Sequence, residues 1–236
     1  MIVLRSVLFN AYFVVLTAVL SPTAMLIRLI MPSRTLMVPM LWARMLLAGL
    51  RLLCGIRIAV SGREYLPRSG PALIASQHQS TFDTVVWLTL VPRCSYVVKR
   101  ELERIPLFGN TLRPAGMIVV DRAAGPSALR HLIREAKRAA HEDRQIVIFP
   151  EGTRGQPGHP LPLQPGIAAM AARTGLAVIP VVTDSGFLWG RRAFRKRAGT
   201  IHIRLLEPIP PSIGRDSLMQ RLDAAFRSPV VDNSVG

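Results

Sequence analysis

A long apolar segment without a charged residue lies near the start of the chain. Positions 6–27 separate Arg5 from Arg28 and contain no Asp, Glu, Lys or Arg. As a helix this segment extends about 33 Å, close to the roughly 30 Å thickness of a bilayer's hydrocarbon core. Three residues, Asn10, Ser21 and Pro22, argue against a plain span. Because no small-residue cleavage site closes a short apolar region, we predict a retained membrane helix rather than a removable signal peptide.

A second apolar segment, 36–54, carries Arg44 and Arg51, which fit poorly at the centre of a bilayer. It suits a helix at the membrane interface, where both arginines reach lipid phosphates. A helical hairpin in one leaflet explains the two segments as well as a single span with a surface helix, and two ordinary core helices remain the alternative. The basic residues after the first segment favour a cytoplasmic main body. The side chains predicted to face acyl chains are Met37, Met40, Leu41, Leu47 and Leu50.

From residue 56 onward, short apolar runs alternate with helical patterns. Most runs are continuously apolar, which is typical of strands covered on both faces. The pattern therefore predicts an α/β fold with a largely parallel sheet flanked by helices. The predicted strands are 56–60, 72–75, 95–98, 117–120, 145–149, 177–182 and 200–206, and the predicted helices are 128–141, 164–174 and 216–227.

Composition narrows the class of partner. The 236 residues carry a formal net charge of +16, and 27 of the 30 basic residues are Arg. Such a balance favours a polyanionic neighbour: nucleic acid, an anionic bilayer or a phosphorylated substrate. Because half of the residues are apolar and the mean hydropathy is positive, the bilayer is favoured over nucleic acid. We predict a membrane-associated helical segment at 1–54, an α/β domain at 55–228 and a flexible tail at 229–236.

The cysteines and most histidines indicate no further chemistry. Cys54 and Cys94 lie in apolar surroundings without a CxxC spacing, so we predict two buried free thiols. No His or Cys pair has the spacing of metal ligands, and we predict no metal and no cofactor. The histidines given ordinary surface, loop or strand roles are His131, His141, His159 and His202.

A histidine and an aspartate follow the predicted strand 72–75. His78 and Asp83 are five positions apart, about 140° around an ideal helix, so an unbroken helix would separate them. They meet only if His78 lies on a turn and Asp83 lies in the first turn of the next helix. Such a pair suits a general base oriented by an acid. The alternative is a capping box, in which Ser80 begins the helix and Asp83 binds its backbone N–H.

The segment 149–154, Phe-Pro-Glu-Gly-Thr-Arg, follows another predicted strand. Gly152 permits a tight turn whose backbone N–H groups approach an anion closely. Arg154 adds a planar, bidentate phosphate donor, and Glu151 is suited to binding substrate hydroxyls or holding an arginine. The alternative is a loop ion pair between Glu151 and Arg154. Arg122 follows a third predicted strand, 117–120, and is a second phosphate candidate, unless it pairs with its neighbour Asp121.

Together these blocks resemble the glycerolipid acyltransferase family typified by 1-acyl-sn-glycerol-3-phosphate acyltransferase. The resemblance covers about residues 55–208. The matching residues are His78 and Asp83 with Gln79 and Ser80; Gly116, Ile118, Asp121 and Arg122; the unbroken block 149–154; and the apolar strand 178–181. Segment 99–109 also resembles the family's linking region. The departures are Gln77, where Asn is frequent, Gly155, where Ser is common, and Gln164, where many members carry Lys.

The resemblance implies an acyltransferase acting in phospholipid biosynthesis. An acyl group passes from acyl-CoA or acyl-carrier protein to the free sn-2 hydroxyl of 1-acyl-glycerol-3-phosphate, forming phosphatidic acid. His78 and Asp83 are the implied catalytic residues. The implied substrate-binding residues are Arg122, Glu151, Gly152, Thr153, Arg154 and Lys99. The implied location is the inner (cytoplasmic) membrane, with the catalytic domain on its cytoplasmic face and no nucleic-acid partner.

Two alternatives remain open at this point. The same blocks fit acylation of another lysolipid, such as a lyso-ornithine lipid or a lysophospholipid with a headgroup. A non-enzymatic, basic membrane-surface protein is the alternative from another class. The basic run 191–197 is expected to contact anionic headgroups or an acidic acyl carrier, unless it is only a solvated loop.

Overall fold

The apolar runs form one seven-stranded sheet in the structure, a computed structural model that describes residues 1–105, 109–191 and 193–231. The strands are β1 Ile56–Ser61, β2 Ala72–Ser76, β3 Cys94–Lys99, β4 Ile118–Val120, β5 Gln145–Ile148, β6 Val178–Thr183 and β7 Gly199–Leu205. Their order in the sheet is β1-β7-β6-β2-β5-β3-β4. Neighbouring strands are parallel except β6 and β7, which are antiparallel. The predicted α/β class and the largely parallel sheet are confirmed.

Helices cover both faces of this sheet. The helices are α1 Ile2–Ile30, α2 Met37–Cys54, α3 Phe82–Leu90, α4 Gly109–Leu112, α5 Pro126–His141, α6 Gly166–Thr174, α7 Ser185–Leu188 and α8 Arg215–Phe226. Alternate strand residues point to opposite faces. Leu73 and Ile146 therefore pack with α5, α6 and α8, whereas Ile74 and Val147 pack with α1, α2 and α3. Both cysteines are buried free thiols, as predicted.

Helices α1 and α2 pack against each other as a hairpin. Tyr12 Oη donates to the carbonyl of Met45 at 2.8 Å, and Trp42 Nε1 donates to Thr17 Oγ1 at 3.0 Å. Both helices are long and apolar enough to cross a membrane by length and composition. One prediction about α2 is wrong: Leu50 is fully buried in the core instead of facing outward. The exposed large apolar side chains of α2 are Met37, Leu41, Met45 and Leu52.

Lys196 attaches α1 to the α/β body. Its Nζ donates to Asn10 Oδ1 and to the carbonyl of Phe194, and it lies 5.2–5.7 Å from the ring centroids of Phe9, Trp189 and Phe194. Lys196 is buried, which lowers its pKa. The expectation that the whole basic run faces headgroups or solvent is therefore wrong for Lys196, because its amino group is buried and bonded to groups inside the protein.

Three predictions fall on residues outside the described part of the chain. They concern positions 106–108 of the segment that resembles the linking region, position 192 of the basic run and positions 232–236 of the predicted tail.

Candidate active site

The predicted functional residues follow strands whose carboxyl ends lie side by side. β2, β5, β3 and β4 are consecutive and parallel, with β6 on the other side of β2. His78 follows β2, Glu151 follows β5, Lys99 ends β3 and Arg122 follows β4. This edge is where ligands bind in open parallel sheets. The topology therefore gathers blocks that are far apart in sequence.

His78 and Asp83 meet as their spacing requires. Nδ1 of His78 lies 3.3 Å from Oδ2 of Asp83. His78 is on the turn after β2, and Asp83 is in the first turn of α3. The Asp83 side chain is 2% exposed and that of His78 is 13% exposed. With Nδ1 facing the carboxylate, Nε2 of His78 is left for a substrate.

The carboxylate of Asp83 is held by more than His78. Its Oδ2 accepts the backbone N–H groups of Gln79 and Ser80, both at 2.7 Å, and its Oδ1 accepts the hydroxyl of Ser185 at 2.7 Å. The bond to Ser80 is the one that a capping box predicts. However, the Ser80 hydroxyl accepts from the N–H of Phe82 at 3.0 Å, and α3 begins at Phe82. Asp83 thus orients His78 and ties the turn at the same time.

The segment after β5 makes three contacts with His78, one with its ring and two with its backbone. The ring of Phe149 stacks on the imidazole at 4.2 Å between centroids, with 21° between the ring planes. Glu151 Oε2 accepts the backbone N–H of His78 at 2.7 Å. The carbonyl of His78 accepts the N–H of Gly155, also at 2.7 Å. The first and third blocks therefore form one structural unit.

Glu151 is a buried carboxyl group without a cationic partner among the described residues. Burial raises its pKa to about 7; the hydrogen bond from the His78 N–H opposes this shift and nearby Asp83 adds to it. Within the described residues no ion pair joins Glu151 to Arg154, so the structure does not support the loop ion pair.

Gly152 brings Arg122 to the turn. Its φ is +72°, and its N–H closes the turn by donating to the carbonyl of Phe149 at 3.0 Å. Nη1 of Arg122 donates to the Gly152 carbonyl at 2.7 Å. A Cβ on Gly152 would lie 2.8 Å from this nitrogen. We expected the Gly152 N–H to contact an anion, but it is already bonded to the Phe149 carbonyl. The observed role of the glycine is to leave room for the Arg122 guanidinium. Thr153 is exposed and Arg154 is half-buried.

Arg122 does not pair with its neighbour Asp121. Oδ2 of Asp121 accepts from Arg100 at 2.8 Å, and its Oδ1 accepts the N–H of Ala123 at 3.0 Å. Lys99 is exposed at the end of β3, opposite Val120 in the parallel register. Lys99 and Arg122 therefore place cations at the ends of adjacent strands.

Three polar residues in or beside this site were given no role in it from the sequence. Ser185 binds Asp83, as described above. Oε1 of Gln77 accepts the N–H of Thr183 at 3.0 Å, and its Nε2 donates to the carbonyl of Phe226 at 2.7 Å. His202, interpreted as an ordinary strand residue, has its Nδ1 2.7 Å from Asp184 Oδ2. For Ser185, the signal in the sequence was the polar run 183–185 at the end of an apolar strand.

The fold and this strand-end arrangement agree with an acyltransferase, the class to which the comparisons with known proteins assign the chain. An acyltransferase family model matches residues 57–184, more than half of the chain, and the chain belongs to that family. It is 34% identical over 162 residues to the 1-acyl-sn-glycerol-3-phosphate acyltransferase of Pseudomonas aeruginosa, covering 69% of this chain and 63% of that protein. The human alpha form of an enzyme with the same name is 31% identical over 169 residues, covering 71% and 60%. The chain thus spans about three fifths of the length of these relatives.

A solved structure shares the whole architecture. The crystal structure of the 1-acyl-sn-glycerophosphate (LPA) acyltransferase PlsC from Thermotoga maritima superimposes with a TM-score of 0.79. The alignment covers 96% of this chain and 95% of that one, at 21% sequence identity. The match therefore establishes the fold, including the two N-terminal helices.

Proposed function

We propose that the protein transfers a fatty acyl group from acyl-CoA or acyl-carrier protein to the sn-2 hydroxyl of 1-acyl-glycerol-3-phosphate, forming phosphatidic acid. The names of its relatives support this substrate class. The observation that carries the proposal is the approach of His78 Nδ1 to within 3.3 Å of the buried carboxylate of Asp83. That pair lies at the strand edge beside the cationic residues that follow β4 and β5.

In this reaction His78 is the general base. Its Nε2 takes the proton of the acceptor hydroxyl as that oxygen attacks the thioester carbonyl, and Asp83 stabilises the imidazolium. The new C–O bond forms, the C–S bond breaks, and the imidazolium returns its proton to the departing thiolate. Direct attack requires no enzyme nucleophile. This agrees with Ser80, whose hydroxyl is occupied as an acceptor of the Phe82 N–H.

The acceptor's phosphate binds to the turn after β5 and to the cations beside it. Nη1 of Arg122 donates to the Gly152 carbonyl. The other guanidinium nitrogens of Arg122 remain for hydrogen bonds to phosphate oxygens. Arg154 and the backbone N–H of Thr153 complete the cradle, and Lys99 adds charge from β3. Glu151 lies next to His78 and binds the glycerol part. Gly152 contributes to phosphate binding because the absence of a side chain lets Arg122 approach the turn closely.

The hairpin of α1 and α2 associates with the membrane that holds the lipid substrate and product. In this proposal its exposed apolar side chains face the acyl chains. The basic residues that follow α1 support a position of the α/β domain on the cytoplasmic face of the inner membrane.

The test is acyl transfer by the purified protein from labelled acyl-CoA and from acyl-carrier protein to a panel of lysolipids. The panel contains lysophosphatidic acid, lysophospholipids with headgroups and lyso-ornithine lipid. We expect lysophosphatidic acid to have the highest kcat/KM, because its terminal phosphate fits the arginine cradle. No turnover of lysophosphatidic acid, or faster turnover of a lipid without a terminal phosphate, contradicts the proposal.

A further inference from the structure

The hydroxyl of Ser185 contacts one oxygen of the Asp83 carboxylate, and His78 faces the other. Ser185 is fully buried, and its Oγ donates to Asp83 Oδ1 at 2.7 Å. We propose that Ser185 is a positioning residue of the acyl transfer, which holds the Asp83 carboxylate so that Oδ2 faces His78. The inference rests on the proposed function and adds a residue from outside the His-x4-Asp block.

The two oxygens of Asp83 have separate partners. Oδ2 faces the backbone N–H groups of Gln79 and Ser80 and the imidazole of His78. Among the described residues, the partner of Oδ1 is Ser185. Without that hydroxyl, a buried carboxylate oxygen loses its hydrogen bond, which is unfavourable inside a protein. The two backbone N–H bonds to Oδ2 remain, but rotation of the carboxylate is less restrained, and the direction of Oδ2 toward His78 is less well fixed.

Ser185 is itself rigidly held. Its N–H donates to Thr183 Oγ1 at 3.2 Å, and its carbonyl accepts the N–H of Trp189 at 2.9 Å. The preceding residue, Asp184, binds His202 twice: Oδ1 accepts the backbone N–H and Oδ2 faces Nδ1, both at 2.7 Å. The position of the hydroxyl is therefore set by β6 and β7 and does not depend on a mobile side chain.

Two further hydrogen bonds flank the bond between Ser185 and Asp83, and both join the segment around Ser185 to the turn that carries His78. Gln77 Oε1 accepts the N–H of Thr183 at 3.0 Å, and Gln79 Oε1 accepts that of Gly186 at 3.2 Å. A Cβ on Gly186 would lie 3.0 Å from the Cβ of Gln79, so the two segments approach closely. Three side-chain hydrogen bonds thus join segment 77–83 to segment 183–186, and the central one ends on Asp83.

A purely structural role and a positioning role predict different kinetics. A structural hydroxyl lowers the melting temperature when removed and leaves kcat of the folded enzyme unchanged. A positioning hydroxyl lowers kcat with little change in KM, because it acts on the general base and not on the bound lipid. The matched control is Ser95, a fully buried serine whose Oγ donates to the carbonyl of Gly116 and which lies on β3, away from Asp83.

The experiment compares the full-length wild type with Ser185→Ala, Ser185→Thr and Ser95→Ala, well below the melting temperature of each. We expect Ser185→Ala to lower kcat about tenfold with both KM values within about twofold, Ser185→Thr to recover most of the rate, and Ser95→Ala to keep kcat within about twofold. A kcat of Ser185→Ala within about twofold of wild type overturns the inference. So does an equal loss in Ser185→Ala and Ser185→Thr.

A spectroscopic readout separates this inference from the proposed function. The Nδ1–H resonance of His78 in histidine-labelled protein, assigned by its loss in His78→Ala, reports the bond to Asp83. We expect it to move or broaden in Ser185→Ala and to stay unchanged in Ser95→Ala. A wild type that transfers no acyl group refutes the proposed function, whereas an unchanged resonance in Ser185→Ala refutes the positioning role.

Discussion

The carboxylate of Glu151 accepts the backbone N–H of His78 at 2.7 Å, so two blocks 73 residues apart share one hydrogen bond. The bond places a buried carboxyl group beneath the residue proposed as general base. Because burial raises the pKa of Glu151 to about 7, this carboxyl group stays protonated to a higher pH in the folded protein than in the unfolded one. This relationship gives the site a pH dependence that neither block predicts alone.

Glu151→Gln should flatten the dependence of stability on pH. The folded pKa exceeds the unfolded one, so the contribution of Glu151 to stability is fully present below its ordinary pKa and is lost as pH rises through about 7. We expect the wild-type melting temperature to fall between about pH 5 and about pH 8, and that of Glu151→Gln to fall less. Gln retains an oxygen that accepts the His78 N–H. Parallel curves for the two proteins would refute the buried, protonated carboxyl.

Gly152→Ala should weaken binding of the acceptor lipid. The added Cβ would lie 2.8 Å from Nη1 of Arg122, and the φ of +72° strains any side chain. We expect a loss of about 1 kcal/mol of stability and a KM for lysophosphatidic acid raised about tenfold. Gly158→Ala is the control, because Gly158 has φ +78° and nothing within 4 Å of its Cβ position. Steady-state kinetics with similar KM values for the two variants would contradict the role of Arg122.

Lys196→Ala should loosen the attachment of α1 to the α/β body. The change removes the bond to Asn10 and leaves space between the rings of Phe9 and Trp189. We expect a loss of about 2–4 kcal/mol, measured as a lower melting temperature in detergent micelles. The exposed neighbour Arg195 is the control, and Arg195→Ala should change stability by less than about 0.5 kcal/mol. Equal melting temperatures would show that Lys196 is not an anchor.

Gln77→Asn should destabilise the protein, although the family resemblance leads us to expect Asn at this position. The Gln77 side chain spans from the N–H of Thr183 to the carbonyl of Phe226. Asn is shorter by one methylene group and loses at least one of these buried hydrogen bonds, at a cost of about 1–3 kcal/mol. Chemical denaturation measures the loss, with the exposed Gln220→Asn as control. An unchanged midpoint would mean that the backbone groups find other partners.

Much of the fold follows from the sequence because covered parallel strands are continuously apolar. The predicted strand 177–182 became Val178–Thr183, and similar shifts occur at the other strands. Strand β5 ends at Ile148, one residue before its predicted end. The reason lies outside the strand, because Phe149 stacks on His78 instead of continuing the strand. The antiparallel pairing of β6 with β7 was not predicted, since apolar runs do not encode strand direction.

The candidate site was predictable where its chemistry is local. His78 and Asp83 are close in sequence, and their spacing dictates a turn followed by a helix. Ser185 lies 102 residues from Asp83, and a lone serine after a strand has no periodic signal. The burial of Lys196 was equally hidden, because a basic run is normally solvated and the rings around it come from separate elements. Long-range partners of single polar residues therefore required the structure.

The central claim is that His78, oriented by Asp83, transfers the proton in acylation of lysophosphatidic acid. The most direct test is kcat of His78→Ala on lysophosphatidic acid, beside the control His141→Ala, which changes an exposed histidine on α5. We predict a loss of at least about a thousandfold for His78→Ala, an unchanged melting temperature, and wild-type activity for His141→Ala. A folded His78→Ala protein that keeps more than about a tenth of the wild-type kcat would contradict the account.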